Sequence, residues 1–222
     1  MTAPLRDIEV RAAVHRRLLG RAQRCPDTLV IDELGLSHGA SRIDIAVING
    51  HIRGFEIKAE ADTLKRLPAQ VEAYGRVVDK AAIIVAEPHL DRATKMIPAW
   101  WGVISIARTK RGSVDFRRLR SEKLNPNVDL LTLAKLLWRK EAAAKLEKIG
   151  CDARLLRASR AVLYAELVSR LGRDELALLV RSTLKSRENW RGRQPPSPCD
   201  GSSPPISKSS KCQSLRLQSN NA

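Results

Sequence analysis

Apolar positions in the first half of the chain change their period several times, and each change marks an element. Between Asp7 and Leu19 the residues Ile8, Val10, Ala13, Val14, Leu18 and Leu19 fall largely on one side of a helix, and Gly20 is a natural stop. Thr28 to Leu34 reads as a strand. After the turn residues Ser37 to Ser41, two more strands are expected, Arg42 to Ile48 and His51 to Ala59. Asn49-Gly50 between them is a hairpin signal. Helical spacing returns with Leu64, Leu67, Val71, Tyr74, Val77 and Val78, where Pro68 suits an early helical position. Ala81 to Ala86 is a continuous apolar run, as in a strand buried on both faces. Leu90 to Met96 then predicts a short helix, and Gly102 to Ala107 another strand.

This order predicts an α/β fold with a mixed sheet. The first three strands form an antiparallel meander, and the helix after the third crosses over to a parallel strand. Residues 1–120 are expected to form this domain. From Asp129 to Arg187 the leucine spacing predicts a small helical region, 128–187, of three helices broken near Gly150 and Gly172. Residues 191–222 are rich in Ser, Pro, Gln and Asn without apolar periodicity, so a disordered tail is expected there.

The candidate chemistry lies on the hairpin and the helix after it. Strand side chains repeat every second residue, so Glu56 and Lys58 share a face. A two-residue loop at Asn49-Gly50 would set Asp44 opposite Phe55 and mix charged with bulky apolar groups on both faces. A three-residue loop, Ile48-Asn49-Gly50 with Gly50 left-handed, would set Asp44 opposite Gly54 and Arg42 opposite Glu56. Arg42, Asp44, Ala46, Gly54, Glu56 and Lys58 then share one face, and Ile43, Ile45, Val47, Phe55 and Ile57 the other. The apolar pattern selects the second register. Two adjacent carboxylates repel, so without a cation the pair is expected to be strained or partly protonated. Such a pair can hold Mg²⁺ or Mn²⁺, which polarises a phosphate and activates a bound water, while a nearby Lys offsets the developing charge. Gln70 and Tyr74, four apart, are neighbours on the helix surface. They suit hydrogen bonds to a phosphate or to a metal-bound water, and Tyr74 suits the core equally well. A solvated strand face with a Glu56–Lys58 salt bridge is the plain alternative.

Charge sharpens the choice of partner. Forty Lys and Arg against 24 Asp and Glu give a net charge of +16. A polyanionic partner is expected, most simply DNA. Arg108, Lys110, Arg111, Arg117, Arg118 and Arg120 are the candidate phosphate-tracking surface, with a solvated hairpin as the alternative. No apolar run approaches the roughly 20 residues of a spanning helix, and no signal-like segment opens the chain. No membrane partner and a cytoplasmic location are therefore expected. Cys25, Cys151, Cys199 and Cys212 form no CxxC pair and are expected to be free thiols.

Asp44, then Glu56-Ile57-Lys58, then Gln70-Val-Glu-Ala-Tyr74, resembles the D…ExK…QxxxY signature of the PD-(D/E)xK nuclease superfamily, RecB-like branch, and is similar to small bacterial members of it. The element order resembles that superfamily's α-β-β-β-α-β core. The resemblance covers Asp7 to Ala107 and implies a restriction-endonuclease-like fold. It implies a metal-dependent nuclease, a hydrolase cutting DNA phosphodiester bonds with a metal-activated water. Asp44 and Glu56 would be metal ligands with the Ile57 carbonyl, Lys58 the catalytic lysine, and Gln70 and Tyr74 accessory. Glu9 and Glu33 both qualify as a further acid, and Glu33 is favoured because its strand abuts that of Asp44. Ile43 stands where the family's proline is usual. The alternative, from a different class, is a non-catalytic nucleic-acid-binding protein that keeps a nuclease-like fold.

Overall fold

The computed structural model describes residues 4–187. The tail expected at 191–222, with Cys199 and Cys212, lies outside the described residues. Helix α1 (Asp7–Ala13) runs on as a π-helical turn, Val14–Leu18, and a short α2 (Gly20–Gln23) follows. Gly20 thus starts a helical turn where a stop was expected, and the Gln23 N–H donates back to the Leu19 carbonyl.

Then come β1 (Leu29–Leu36), β2 (Ser41–Ile48), β3 (Ile52–Lys58), α3 (Leu67–Gly75), β4 (Lys80–Ala86), α4 (Leu90–Met96), β5 (Gly102–Arg108) and β6 (Val114–Arg120). Among the described residues these strands make one mixed, open sheet of six, in the order β1-β2-β3-β4-β5-β6. The first three are antiparallel, β3, β4 and β5 run parallel, and β6 returns antiparallel to β5. Strand β6 was expected only as part of the solvated-hairpin alternative for Arg108 to Arg120. Four of its seven residues are Asp or Arg, which masks an alternation in which Val114, Phe116, Arg118 and Arg120 are the less exposed side.

Strand β4 shows why two layers form. Ala81, Ile83 and Val85 join one buried cluster, and Ala82, Ile84 and Ala86 the other. The second cluster is closed by Val10, Ala13 and Val14 of α1 and its π-helical extension, over Ile45, Val47, Phe55 and Ile57. The first holds Tyr74 of α3 and Ala93 of α4. It also takes Leu133, Leu146, Leu163, Leu167, Val180 and Leu184 from the helical region, so helices and sheet share one core there. That region is described as α5 (Leu130–Ala134), α6 (Arg139–Lys148), α7 (Ala153–Leu156), α8 (Arg160–Arg170) and α9 (Arg173–Ser186), more pieces than the three expected. Asp129 and Asp152 each accept an N-terminal backbone N–H and start α5 and α7. Gly150, at φ +83°, ends α6. Among the described residues no helix is long and apolar enough to cross a membrane.

The β2–β3 hairpin turns through three residues, as expected, but they are Asn49, Gly50 and His51. Ile48 pairs with Ile52, and Ala46 rather than Asp44 pairs with Gly54. The shift is two residues, so the alternation of faces is kept. Gly50 is not left-handed. The loop is closed instead by the Asn49 side chain, whose Oδ1 accepts the His51 N–H at 3.2 Å. Gly54 makes room for Tyr74. A Cβ there would stand 3.1 Å from Cδ2 of Tyr74 and 3.3 Å from Cγ2 of Ile43, so the missing side chain lets the Tyr74 ring lie against the strand.

Candidate functional site

The site begins where the hairpin stops pairing. The β2–β3 ladder runs from Ile48–Ile52 to Ile45–Phe55 and ends. One residue on, the Asp44 carboxylate replaces the backbone acceptor, and its Oδ2 receives the Ile57 N–H at 2.8 Å. The strands therefore part by the width of a side chain. On the other edge of β2 the pairing with β1 is interrupted at the same level, between Asp32–Ile45 and Leu34–Ile43. Glu33, in the gap, has φ +57°, a sparsely populated region for a non-glycine residue. Across this break the alternation resets. Ile43, expected on the face of Ile45 and Val47, joins the Tyr74 cluster instead.

Inside the fork Glu56 is fully buried. Its Oε1 accepts from Lys58 Nζ at 2.5 Å, and its Oε2 accepts from the Tyr74 hydroxyl at 2.6 Å. The same hydroxyl accepts the Asp44 N–H at 3.1 Å. Lys58 Nζ donates also to Gln70 Oε1 at 3.1 Å. The structure thus brings together Asp44, Glu56, Ile57, Lys58, Gln70 and Tyr74. Tyr74 does both things considered for it. Its ring is core, stacked 5.3 Å from Trp101, and its hydroxyl joins two strands at the site.

A cleft of about 860 Å³ opens over this cluster. Glu33 lines it and pairs with Arg11 at 3.1 Å and Arg42 at 3.2 Å. Glu9 is elsewhere, paired with Arg108 at 3.0 Å. Arg11 was missed in the sequence. It stands on α1 and reaches Asp7, Glu33 and Asp44, donating to the Asp44 carbonyl at 2.7 Å. Its only signal was one basic residue at the margin of an apolar helix stripe, which many helices show. Of the candidate phosphate-tracking residues, Arg118 is tied to Glu122, Arg120 to the Trp101 and Pro98 carbonyls, and Arg108 to Glu9.

Burial, and next the charge of Glu56, push the Asp44 carboxyl up to about 7, against the lowering effects of the Ile57 N–H, Arg11 and Lys58. Burial and the Glu56 and Asp44 charges push the Tyr74 phenol well above its ordinary value, so it remains a hydrogen-bond donor. Lys58 and Arg11 compensate the cluster from within, and burial beside Glu56 makes Asp44 easier to protonate than an ordinary carboxyl. Its carboxylates and the Ile57 carbonyl are oxygen donors of the kind a hard cation takes. Among the described residues no group of three or more His, Cys, Asp or Glu is arranged to hold a metal ion. The positive charge beside Glu56 is the Lys58 ammonium.

A raised carboxyl value means that the folded state favours the proton. The stabilisation from protonated Asp44 is complete below its ordinary value of 3.8 and is lost as pH rises through about 7. Asp44→Asn keeps an acceptor for Ile57 and carries no charge. Its melting temperature should exceed that of the wild type at pH 8, by a stability difference on the order of a few kcal/mol, and the two should converge near pH 4. Parallel pH dependences in thermal melts would contradict the protonation of Asp44.

Comparison with known proteins corrects the family reading. A family model described as "Bacteriophage P4 protein cII" matches residues 2–191. Protein cII of Enterobacteria phage P4 is 25% identical over 150 residues, which is 68% of this chain and 56% of that protein. The match thus spans little more than half of the relative's length. No solved structure matches. The D…ExK…QxxxY resemblance therefore misassigned the chain to the RecB-like PD-(D/E)xK nucleases, and the metal-dependent nuclease or hydrolase activity inferred from it falls with that assignment. The misassignment has a physical source, because two carboxylates, a lysine and a tyrosine at this spacing also build a closed, buried hydrogen-bond cluster. The chain belongs to the bacteriophage P4 protein cII family.

Proposed function

We propose that the protein binds nucleic acid, DNA first, and does not cleave it. The distribution of charge carries this reading. The net charge is +16, and several of the acidic groups are tied up in ion pairs. Asp7 and Glu33 face Arg11, Glu56 faces Lys58, Glu122 faces Arg53 and Arg118, and Glu141 faces Arg187. Pairing cannot neutralise the remaining excess of Lys and Arg, 40 against 24 Asp and Glu, and that excess suits a phosphate backbone.

For the architecture we propose a restriction-endonuclease-like core without the activity of that group. The order of α1, the β1–β3 meander, α3 and the parallel β4 supports it, as does the fork at Asp44. Residues 1–120 would be this core and 128–187 a helical extension packed on one of its faces. Fluorescence anisotropy with labelled DNA should show binding whose affinity falls log-linearly with salt, and the DNA should stay intact with Mg²⁺ or Mn²⁺. An absence of binding at low salt would sink the proposal. Cleavage that disappears in Lys58→Ala would contradict its non-catalytic half.

A second reading is favoured by the raised Asp44 value. Asp44, Glu56 and the Ile57 carbonyl take up Mg²⁺ or Mn²⁺, which is often held by only one or two carboxylates. The ion would supply positive charge between the carboxylates and a site for a phosphate oxygen. At pH 8, millimolar Mg²⁺ should then raise the melting temperature of the wild type and leave Asp44→Asn unmoved. Equal shifts in the two proteins would remove this reading.

A further inference from the structure

A second cavity, of about 370 Å³, adjoins the cleft over the Asp44 fork at Gly39 and lies between the end of β1, the segment that joins α5 to α6, and the start of α8. Lys135, Arg139, Arg160 and Arg187 line it with Trp138 and Tyr164, and no carboxylate does. Glu141, behind the wall, pairs with Arg187 through 2.8 and 2.6 Å contacts. Arg139 donates to the carbonyls of Leu156 and Ala158, neutral groups that leave its charge in place. Arg139 and Arg160 are the first residues of α6 and α8, at the positive ends of the helix dipoles, and the first turn of α8 holds no acidic residue. Cations there are unfavourable on their own account. An anion between them would reverse the sign of each of these terms.

Trp138 adds a second kind of contact. The Arg187 guanidinium stands 4.2 Å from its ring centroid, which fixes the indole, yet the residue is 49% exposed. The Tyr164 hydroxyl is engaged with the Leu137 carbonyl at 2.7 Å and helps to hold the floor. Lys140 Nζ stands 5.1 Å from the same centroid, so the indole meets two cations and keeps about half of its surface at the rim. A cationic hollow with a half-exposed, pre-positioned aromatic side chain matches one phosphate and one base. The volume is within the usual range of ligand pockets.

We propose that this cavity seats one nucleotide unit of a single-stranded nucleic acid. Lys135, Arg139 and Arg160 hold its phosphate, and Trp138 stacks its base. A single strand is specified because a paired base offers no face to a side chain. The inference rests on the nucleic-acid-binding reading above and adds to it the place and the strand form.

The test uses the full chain with a labelled oligothymidylate and a labelled duplex. Trp138→Ala should weaken single-strand binding about tenfold with little effect on duplex, and Trp138→Phe should recover most of it. The double variant Lys135→Gln/Arg160→Gln should reduce the salt slope by about 1.4, or 0.7 for each lost phosphate contact. Thymidine monophosphate should compete better than inorganic phosphate in the wild type. Equal competition by the two would show an anion site without a base contact and overturn the proposal. Wild-type single-strand binding that none of the variants alters would overturn the cavity and leave the nucleic-acid reading standing. No binding of either nucleic acid would overturn both.

Discussion

A carboxylate with no exposed surface must be met by donors, and Glu56 is met on both oxygens, by Lys58 and by Tyr74. Much of the site depends on this arrangement. Tyr74 can reach Glu56 only because Gly54 has no side chain where the ring lies. The same hydroxyl takes the Asp44 N–H, which anchors β2 where its ladder with β3 has ended. Asp44 then caps Ile57, and Arg11 draws α1 onto the outside of the fork. One buried charge therefore links two strands and α3, and through Asp44 it reaches α1.

Such a cluster can be mistaken for a catalytic one because the requirements overlap. Both need carboxylates close together, a lysine beside them and polar groups on the next helix. In this cluster Lys58 donates to Glu56 and Gln70 at the floor of the cleft, and the Tyr74 ring is buried beneath the sheet face.

Period and apolar pattern were enough to read most of the sheet. The run Ala81 to Ala86 could only be a doubly buried strand, and the apolar faces of β2 and β3 excluded a two-residue hairpin loop. They could not separate two three-residue loops that differ by a shift of two, since both keep the faces. That choice was made by the Asn49 side chain, a local hydrogen bond invisible to periodicity. The reset at Glu33 and Asp44 was hidden for a related reason, because a left-handed glutamate leaves no mark in sequence. Strand β6 was hidden by its charges, which face outward, bond to carbonyls or, at Arg118, pair with Glu122. The neighbourhood of Glu56 with Lys58, and of Gln70 with Tyr74, was legible from strand and helix spacing, while Asp44 reaches them through a register two residues from the expected one. Arg11 was not, because its role depends on how α1 docks.

The central claim is that Glu56 and Lys58 form a structural pair whose removal costs folding and not chemistry. A double-mutant cycle on stability tests it most directly. Lys58→Met alone should destabilise the protein by about 3–5 kcal/mol in chemical denaturation, since it strands a buried carboxylate, and adding Glu56→Gln should recover most of that loss. Single variants as stable as the wild type, with a phosphodiester-cleaving activity lost from both, would contradict the account.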